Sequence, residues 1–260
     1  MKYGICLDSS IAIRKNPSHQ SELISQLLFG ETYLVLQTLP YWLQIKCSYD
    51  EYTGWIDRLN AQALTEQSFK MLLQSSHKVI LAEKLRLVTE KGTNLLAVPG
   101  SELPFYSFDN KGFKVDNIFF KIVEKPEIID ADYTSETIIK IAEKFLNTPY
   151  LWGGRSISGI DCSGFTQVVF KINHINLPRD TWQQATAGSP IDDFKEAGRG
   201  DLAFFKNEKN KICHTGILMD KNVIVHASGR VRIDKLDAEG IFNTEKQAYT
   251  HKLDCIRRVL

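Results

Sequence analysis

The hydrophobic pattern of the chain changes once, at a linker-like segment over residues 124–134 that contains a proline and several acidic residues. Before it, short β-type runs such as Thr53 to Asp57 and Leu85 to Thr89 alternate with turn residues. After it, apolar residues recur at helical spacing, first between Ile138 and Phe145. A chain of 260 residues exceeds one average domain, so this change predicts two or three modules.

The part before the linker predicts two small β-barrels. Two groups of short runs support them, Tyr33–Leu36, Trp42–Cys47 and Thr53–Asp57 for the first, and Lys78–Leu81, Leu85–Thr89, Phe113–Val115 and Ile118–Val123 for the second. No repeated motif shows that the two are duplicates. We place the domains at residues 1–66, 67–125 and 126–260.

The part after the linker predicts an α+β domain. One helix begins behind the N-cap candidates Thr134 and Ser135, and a second runs from Asp161 to Ile172. Three strands follow, at Asp201–Phe205, Cys213–Met219 and Asn222–Ala227. Helices followed by a meander of strands indicate a helix packed on an antiparallel sheet.

Charge and composition exclude several partners. The formal charge is +1 from 32 basic and 31 acidic residues, which gives no field for nucleic acid or an anionic membrane. No segment has the roughly 18 apolar residues of a membrane span. We expect a monomer that binds neither. The five scattered cysteines favour a reducing cytoplasm, with an exported chain as the alternative if a signal peptide has been removed.

Cys162 is the candidate nucleophile, because it falls in the first turn of a predicted helix. The partial positive charge of a helix N-terminus stabilises a thiolate, the form that attacks carbonyl groups. Gly159, Ser163 and Gly164 are small, so that a substrate can approach and backbone N–H groups can hold an oxyanion. The alternative is a buried structural cysteine.

Two histidines on neighbouring predicted strands are candidates for the base and for the residue that orients it. Strand alternation places His214 on one face with Gly216, and His226 on a face of the next strand. Together with Cys162 they complete the set of nucleophile, base and orienting group.

A zinc site is the competing interpretation of the same residues. Cys213, His214 and His226 are ligand types, but no C-x-x-C or H-E-x-x-H spacing accompanies them, and adjacent strand residues point to opposite faces. We therefore predict no metal and no cofactor. The other histidines, His19, His77, His174 and His251, are interpreted as solvated surface.

Five motifs of the second half resemble the NlpC-type cell-wall peptidases. They are Thr148–Gly154, Asp161–Phe165, Arg199–Phe205, His214–Ile217 and Val225–Ser228. The resemblance implies a papain-like α+β domain in which Cys162 is the nucleophile, His214 the base and His226 the orienting residue, which accepts the Nδ1–H of His214. It also implies hydrolysis of the γ-D-glutamyl to diamino-acid bond of murein peptides. Trp152 and Ser163, within these motifs, are candidate substrate contacts.

The first β segment resembles a bacterial SH3-like module, through Gly30-Glu31 and Tyr52-Thr53-Gly54-Trp55. The second β segment is a weaker match. SH3-like modules before such a peptidase domain resemble recycling enzymes that require a free N-terminal L-Ala. The resemblance implies that Tyr52 helps to close the cleft, with a barrel-core tyrosine as the alternative.

Asp161 raises a separate question, since a carboxylate beside a thiolate opposes the lowering of its pKa. A cation should compensate, and the ammonium of the substrate is the interpretation we consider most informative. Asp161 can also be the N-cap of its helix. Glu22 is a candidate for a second acidic contact from the SH3-like module.

The sequence leaves several functions open. Besides hydrolysis of small murein peptides, the chain could be a wall-binding protein with a degenerate peptidase domain, or could cleave intact murein. Hydrolysis and acyl transfer share the acyl-enzyme and are not separated by sequence. The diamino acid, diaminopimelate or lysine, is also open.

Overall fold

The computed structural model describes residues 1–74, 78–79, 84–106, 111–127 and 134–260. It divides into two compact units. The N-terminal unit comprises Met1–Ile129 together with Gly153–Ser156, and the C-terminal unit comprises Asp130–Trp152 and Ile157–Leu260. Residues 128–133 of the predicted linker lie outside the described residues. Among the described helices, none is both long and apolar enough to cross a membrane.

The first part of the N-terminal unit is a seven-stranded antiparallel sheet. Its strands, in the spatial order β3-β2-β6-β5-β4-β1-β7, are β1 Tyr3–Ile5, β2 Ser10–Arg14, β3 Leu23–Leu28, β4 Thr32–Thr38, β5 Trp42–Cys47, β6 Thr53–Asp57 and β7 Gln62–Leu64. Alternate residues such as Ile11, Ile13, Leu43 and Ile45 are buried in one apolar cluster. The three strands predicted here are confirmed as β4, β5 and β6. Their apolar residues alternate along the sequence, as expected of strands with one buried face.

The second β segment follows a helix and is less regular. It contains α1 Glu66–Gln74, β8 Lys78–Val79, β9 Leu85–Thr89, β10 Asn94–Ala97, β11 Glu102–Leu103, β12 Gly112–Val115 and β13 Ile118–Ile122. The described residues form a four-stranded sheet, β10-β9-β13-β12, and the pair β11-β8. Phe29 of the first segment packs on Phe113 and Phe120 of the four-stranded sheet. A residue from another segment thus covers part of the apolar face of this sheet. Over the described residues of this segment, the structure does not show the predicted second SH3-like barrel.

The C-terminal unit is α+β, with helices against a large antiparallel sheet. Its elements are α2 Ser135–Glu143, β15 Gly159–Ile160, α3 Cys162–Ile172, α4 Thr181–Gln184, β16 Ser189–Ile191, β17 Leu202–Lys206, β18 Ile212–Asp220, β19 Val223–Ser228, β20 Arg230–Leu236, β21 Gly240–Asn243 and β22 Ala248–Arg258. The strand β14, Arg155–Ser156, belongs to the N-terminal unit. The sheet order is β16-β22-β17-β18-β19-β20-β21, and β21 also pairs with β22.

Helix α3 is the element that places the candidate nucleophile. All eleven of its residues are buried, and Asp161 caps it by accepting a hydrogen bond from the backbone N–H of Gly164. The helix packs on α2 and on strands β18 and β19. The two predicted helices and three predicted strands of this unit are confirmed. The second helix and the three strands have ends within one residue of the prediction, whereas the first helix ends at Glu143, ahead of Pro149.

Candidate active site

Cys162 lies at the first position of α3, where the sequence predicts it, and is 6% exposed. Burial raises the pKa of its thiol to about 11, and the Asp161 carboxylate adds to the rise. A hydrogen bond with Thr181, the backbone N–H of Thr215 and the charge of Arg179 act in the opposite direction. Burial therefore opposes the thiolate that a helix N-terminus favours, and the pKa shifts in the direction opposite to the one expected.

The cation beside Asp161 is supplied by the chain itself. Arg179 donates to both carboxylate oxygens, at 3.1 and 2.6 Å, and also to the hydroxyl of Ser163, at 2.8 Å. All three side chains are buried. Arg179 therefore compensates the charge of Asp161, which also serves as the N-cap, and a contact of Asp161 with a substrate ammonium stays a prediction.

His214 and His226 meet as their strands predict. The register of β18 and β19 places Gly216 opposite His226, so His214 is its diagonal neighbour on the same face. His214 Nε2 and His226 Nδ1 are 2.8 Å apart, and both side chains are buried. The expectation that the Nδ1–H of His214 makes this contact is wrong, because the ring presents Nε2 to His226.

Asp234 of β20 extends the pair to a chain of three groups. Its Oδ2 lies 3.1 Å from His226 Nε2, and Arg232 Nε lies 2.9 Å from the same oxygen. Although burial raises the pKa of Asp234, hydrogen bonds from His226 and Arg232 outweigh it, and the pKa lies below its ordinary value. The group is therefore an ionised acceptor at neutral pH.

An acceptor at Asp234 fixes the tautomers of both histidines. His226 Nε2 must carry a proton to donate to Asp234, which leaves its Nδ1 as the acceptor for the Nε2–H of His214. Neutral His214 then keeps its lone pair on Nδ1. Burial, with the neighbouring His251 and His226, lowers the pKa of His214 well below 6.5, so this neutral form prevails.

His251 of β22 completes a cluster of three histidines. Its ring stacks on that of His214, with centroids 4.1 Å apart and planes 25° apart. Burial, chiefly, lowers its pKa to about 4. The interpretation of His251 as solvated surface is wrong, because the strand order of the sheet brings β22 against β17 beside the active histidines. His77 lies outside the described residues.

The predicted metal ligands separate in the structure. Cys213 is exposed, while His214 and His226 are buried and join His251 as a group whose ligand atoms lie within 4.8 Å of one another. The competing zinc interpretation thus named two histidines of this group and missed the third.

The remaining substrate-binding candidates are distributed over both units. Trp152, in the C-terminal unit, is 61% exposed. Tyr52, in the N-terminal unit, packs against the core of the first sheet, as the barrel-core alternative requires. Glu22 is in the same unit and lies 3.2 Å from Lys15 Nζ. Contacts of these side chains with substrate stay predictions.

Three residues of the site were missed by sequence reasoning. For Asp234 a signal existed in the alternation of β20. Arg232 pairs with His226, and Asp234, two residues further along, lies on the same face of the strand as Arg232. Arg179 lies in the stretch before α4, and His251 lies on a strand paired with β17, so neither position follows from local pattern.

Two family matches agree with this geometry. Residues 147–251 match the NlpC/P60 family, and residues 13–59 match the bacterial dipeptidyl-peptidase Sh3 domain. The γ-D-glutamyl-L-lysine dipeptidyl-peptidase of Bacillus subtilis (strain 168) is 29% identical over 245 residues, 87% of this chain and 75% of that relative. Dipeptidyl-peptidase 6 of Lysinibacillus sphaericus is 25% identical over 250 residues, 86% and 88% of the two chains.

Solved structures show the same fold. The crystal structure of an NlpC/P60 family protein from Bacillus cereus ATCC 10987 matches with a TM-score of 0.84 and 20% identity, over 99% of both chains. An NlpC/P60 endopeptidase from Photobacterium damselae subsp. piscicida matches with a TM-score of 0.68 and 17% identity, over 97% of this chain and 70% of that one. The chain therefore carries an NlpC/P60 domain, of the cysteine peptidase family, behind an N-terminal bacterial dipeptidyl-peptidase SH3 domain.

Proposed function

We propose that this NlpC/P60 peptidase hydrolyses the bond between γ-D-glutamate and the diamino acid in small murein-derived peptides with a free N-terminal L-Ala. The observation that carries the proposal is the chain from Asp234 through His226 to His214, in the same unit as the helix-tip Cys162. It leaves His214 Nδ1 as the base of the site, and the backbone N–H of the adjacent Thr215 makes a hydrogen bond to Cys162. A degenerate, wall-binding domain has no need of that arrangement.

The reaction we propose proceeds through an acyl-enzyme. His214 Nδ1 takes the proton of the Cys162 thiol while Sγ attacks the γ-carbonyl carbon of D-glutamate, and the resulting imidazolium then protonates the departing amine of the diamino acid. His214 next removes a proton from water as the water attacks the thioester carbonyl, the C–S bond breaks to release the dipeptide, and the imidazolium returns the proton to Sγ of Cys162. The Nε2–H of His214 stays hydrogen-bonded to His226 in both steps. This contact holds the orientation of the His214 ring and stabilises the positive charge that develops on it.

The resting state on which this chemistry starts is neutral. Since burial raises the pKa of Cys162 to about 11 and lowers that of His214, thiol and imidazole both stay uncharged at neutral pH. Proton transfer then accompanies attack instead of preceding it, which is general-base catalysis.

Relatives support the choice of substrate. Those most similar over most of the chain are named γ-D-glutamyl-L-lysine dipeptidyl-peptidases in two Bacillus species and dipeptidyl-peptidase 6 in Lysinibacillus sphaericus. A dipeptidyl-peptidase releases a dipeptide from a free amino end, which for murein peptides is L-Ala-γ-D-Glu. L-Ala-γ-D-Glu-L-Lys is therefore the first substrate to test, with the diaminopimelate peptide beside it.

Replacement of Cys162 tests the peptidase activity. We expect Cys162→Ala to abolish release of L-Ala-γ-D-Glu, and His214→Ala to lower kcat by orders of magnitude, because residues that act as a unit each disable the set. Mass spectrometry of the products measures the reaction. Cys213→Ala is the matched control, since Cys213 is exposed. Full activity of Cys162→Ala would show that Cys162 is not the nucleophile.

Acetylation of the substrate tests the demand for a free amine. N-acetylation replaces the substrate ammonium by an amide. The enzyme group that binds the ammonium then loses a charge-assisted contact, so kcat/KM should fall at least about a hundredfold. Equal values for free and N-acetylated peptides would instead favour cleavage in intact murein. Because Asp161 is already paired with Arg179, this experiment and not Asp161→Asn carries the test.

The location and assembly belong to the same proposal. A peptide with a free N-terminal L-Ala is a soluble product of wall turnover, and we propose that a monomeric enzyme meets it in the cytoplasm. Five free cysteines, two of them at least partly exposed, favour a reducing compartment. Fractionation of the source cells and size-exclusion chromatography with light scattering test the two statements.

A further inference from the structure

The histidine cluster His214, His226 and His251 offers a second chemistry besides proton transfer. One ligand atom of each residue can be chosen so that all three lie within 4.8 Å of one another. We propose that these three imidazoles bind a transition-metal cation such as Zn²⁺ and that the bound ion switches the peptidase off. The inhibitory part rests on the function proposed above, whereas the binding part does not.

Rotations of the three side chains would bring the cluster to the geometry of a three-histidine site. Zinc binds imidazole nitrogen at about 2.0–2.1 Å, so tetrahedral ligands are about 3.4 Å apart. His214 Nε2 and His226 Nδ1 are already 2.8 Å apart and need to open by about half an ångström. The ring of His251 stacks on that of His214, so it must turn until one of its nitrogens, which lies within 4.8 Å of the other two ligand atoms, points at the ion. Three protein ligands leave the fourth position for water.

The second contact of His226 also suits a metal. His226 already donates its Nε2–H to Asp234, which is the contact that orients a histidine ligand and raises its basicity.

An open groove gives the ion a way in. His214 and His226 are buried, but His251 is only partly so and lines a groove of about 1230 Å³ together with Glu239 and Tyr249. All the residues of this groove belong to the C-terminal unit. A hydrated cation can therefore first meet His251 and then the two histidines behind it.

Ligation removes the base by exchanging its tautomer. The ion takes the place of the proton on His214 Nε2, and that proton moves to Nδ1 of the same ring, so no proton is released overall. Nδ1 then carries a hydrogen and cannot accept the proton of the thiol. The site thus inhibits and does not catalyse, which is compatible with the prediction that turnover needs no metal.

Binding is tested on the Cys162→Ala chain, in which a thiolate of Cys162 cannot hold the ion. Calorimetry with ZnCl₂ should give one site, and Co²⁺ should give visible d–d bands of a tetrahedral nitrogen site without thiolate charge transfer. In this background His251→Phe keeps a ring stacked on His214 but loses the ligand, and should weaken binding by about tenfold or more, since even an outer-shell partner is worth that much.

Controls distinguish the cluster from other sites. His19→Phe, on a histidine of the N-terminal unit, should leave the affinity unchanged. His251→Gln repeats the test should the phenylalanine disturb folding, with circular dichroism and Zn²⁺-induced thermal stabilisation as measures of the fold. The proposal is overturned if zinc binding disappears in Cys162→Ala, or if both His251 variants bind zinc as tightly as their parent.

Inhibition is measured with Cys162 in place. Each chain is compared with its own activity in EDTA, so that an effect of His251 on turnover does not enter the comparison. Zinc should inhibit the native chain reversibly, and about tenfold or more zinc should be needed for the His251 variants. Unchanged inhibition of those variants would assign the effect to Cys162 and overturn the proposed switch, whatever the substrate of the enzyme.

Discussion

At the scale of single residues, the Asp234 carboxylate determines where His214 carries its proton. It can only accept, so it imposes one tautomer on His226 and, through the 2.8 Å contact, one on His214. An orienting carboxylate of this kind acts on the base without touching the substrate. Its replacement should therefore affect the rate more than binding.

Asp234→Asn tests this relay. The amide can donate to His226 Nε2, which reverses both tautomers and places a proton on His214 Nδ1. We expect kcat to fall by roughly a hundredfold or more with KM little changed, by analogy with other carboxylate–histidine pairs. Steady-state kinetics measures the split, and Asp220→Asn at the exposed end of β18 is the control. A variant that raises KM alone would contradict the relay.

The pH profile follows from the same residues. Catalysis needs neutral His214, and because its pKa is lowered, activity should be lost only as pH falls through a value below the ordinary 6.5. Since the pKa of Cys162 is raised to about 11, no growing thiolate fraction should increase kcat/KM between about pH 6.5 and 7.5, below the titration of the substrate amine. Measurements in EDTA should show this plateau. A tenfold rise per pH unit would indicate attack by a pre-formed thiolate.

At the scale of elements, the pairing of β18 with β19 fixes the distance between the two histidines. Gly216 stands opposite His226, and a Cβ on Gly216 would lie 2.8 Å from the Cβ of His226. The strand pair therefore needs glycine here for packing, not for an unusual backbone angle. A methyl group at this point must displace the imidazole or the strand.

Gly216→Ala is expected to separate activity from folding. Overpacking of this size costs about 1–3 kcal/mol in the free energy of unfolding, while the displaced His226 should lower kcat by about tenfold or more. Urea unfolding and kinetics measure the two effects. Gly198→Ala is the control, because its Cβ would come no closer than 4.0 Å to a residue beyond its chain neighbours, namely Arg258. Native kcat in Gly216→Ala would show that the spacing of the histidines is tolerant.

The elements that sequence predicts well are those whose burial repeats locally. The strands Trp42–Cys47 and Thr53–Asp57 and helix α3 follow from periods of two and of 3.6, and the strand alternation also brings His214 to His226. The second barrel was predicted from the same kind of runs. Short runs predict strands, but they do not predict which residues cover the apolar face of the sheet. Here one of the covering residues is Phe29, from the preceding segment.

The parts of the site that sequence could not predict depend on distant pairing. His251 reaches the cluster because β22 pairs with β17, strands separated by more than forty residues. Arg179 reaches Asp161 from the stretch before α4. The raised pKa of Cys162 depends on burial, which a helix-tip position does not reveal, whereas the helix dipole alone predicts a lowered pKa.

At the scale of the whole molecule, the chain enters the N-terminal unit twice. Residues Gly153–Ser156 belong to that unit although the chain on both sides belongs to the other. Arg155 anchors them through a buried ion pair with Glu31 at 2.9 Å, where both side chains are 2% exposed, and through hydrogen bonds with Gln26. Gly153 approaches the backbone of Leu23 so closely that a Cβ would lie 2.4 Å from its carbonyl oxygen.

Arg155→Met tests the strength of this anchor. It leaves the Glu31 carboxylate buried without its cation, which typically costs about 3–5 kcal/mol. The double variant Glu31→Leu, Arg155→Met should lose less, since it removes the uncompensated charge as well. Urea unfolding of the native chain and three variants, including Glu31→Leu alone, gives the coupling free energy. A loss below about 1 kcal/mol for Arg155→Met would show that water reaches the pair.

The same four residues limit how freely such domains can be recombined. The stretch that matches the NlpC/P60 family begins at residue 147, so a graft at the linker would transfer Arg155 with the peptidase and leave Glu31 with the SH3 domain. Each half would inherit one member of a buried pair. A chimera with a foreign N-terminal domain should therefore keep its stability only when that domain supplies an acceptor for Arg155, or when an apolar residue replaces the arginine.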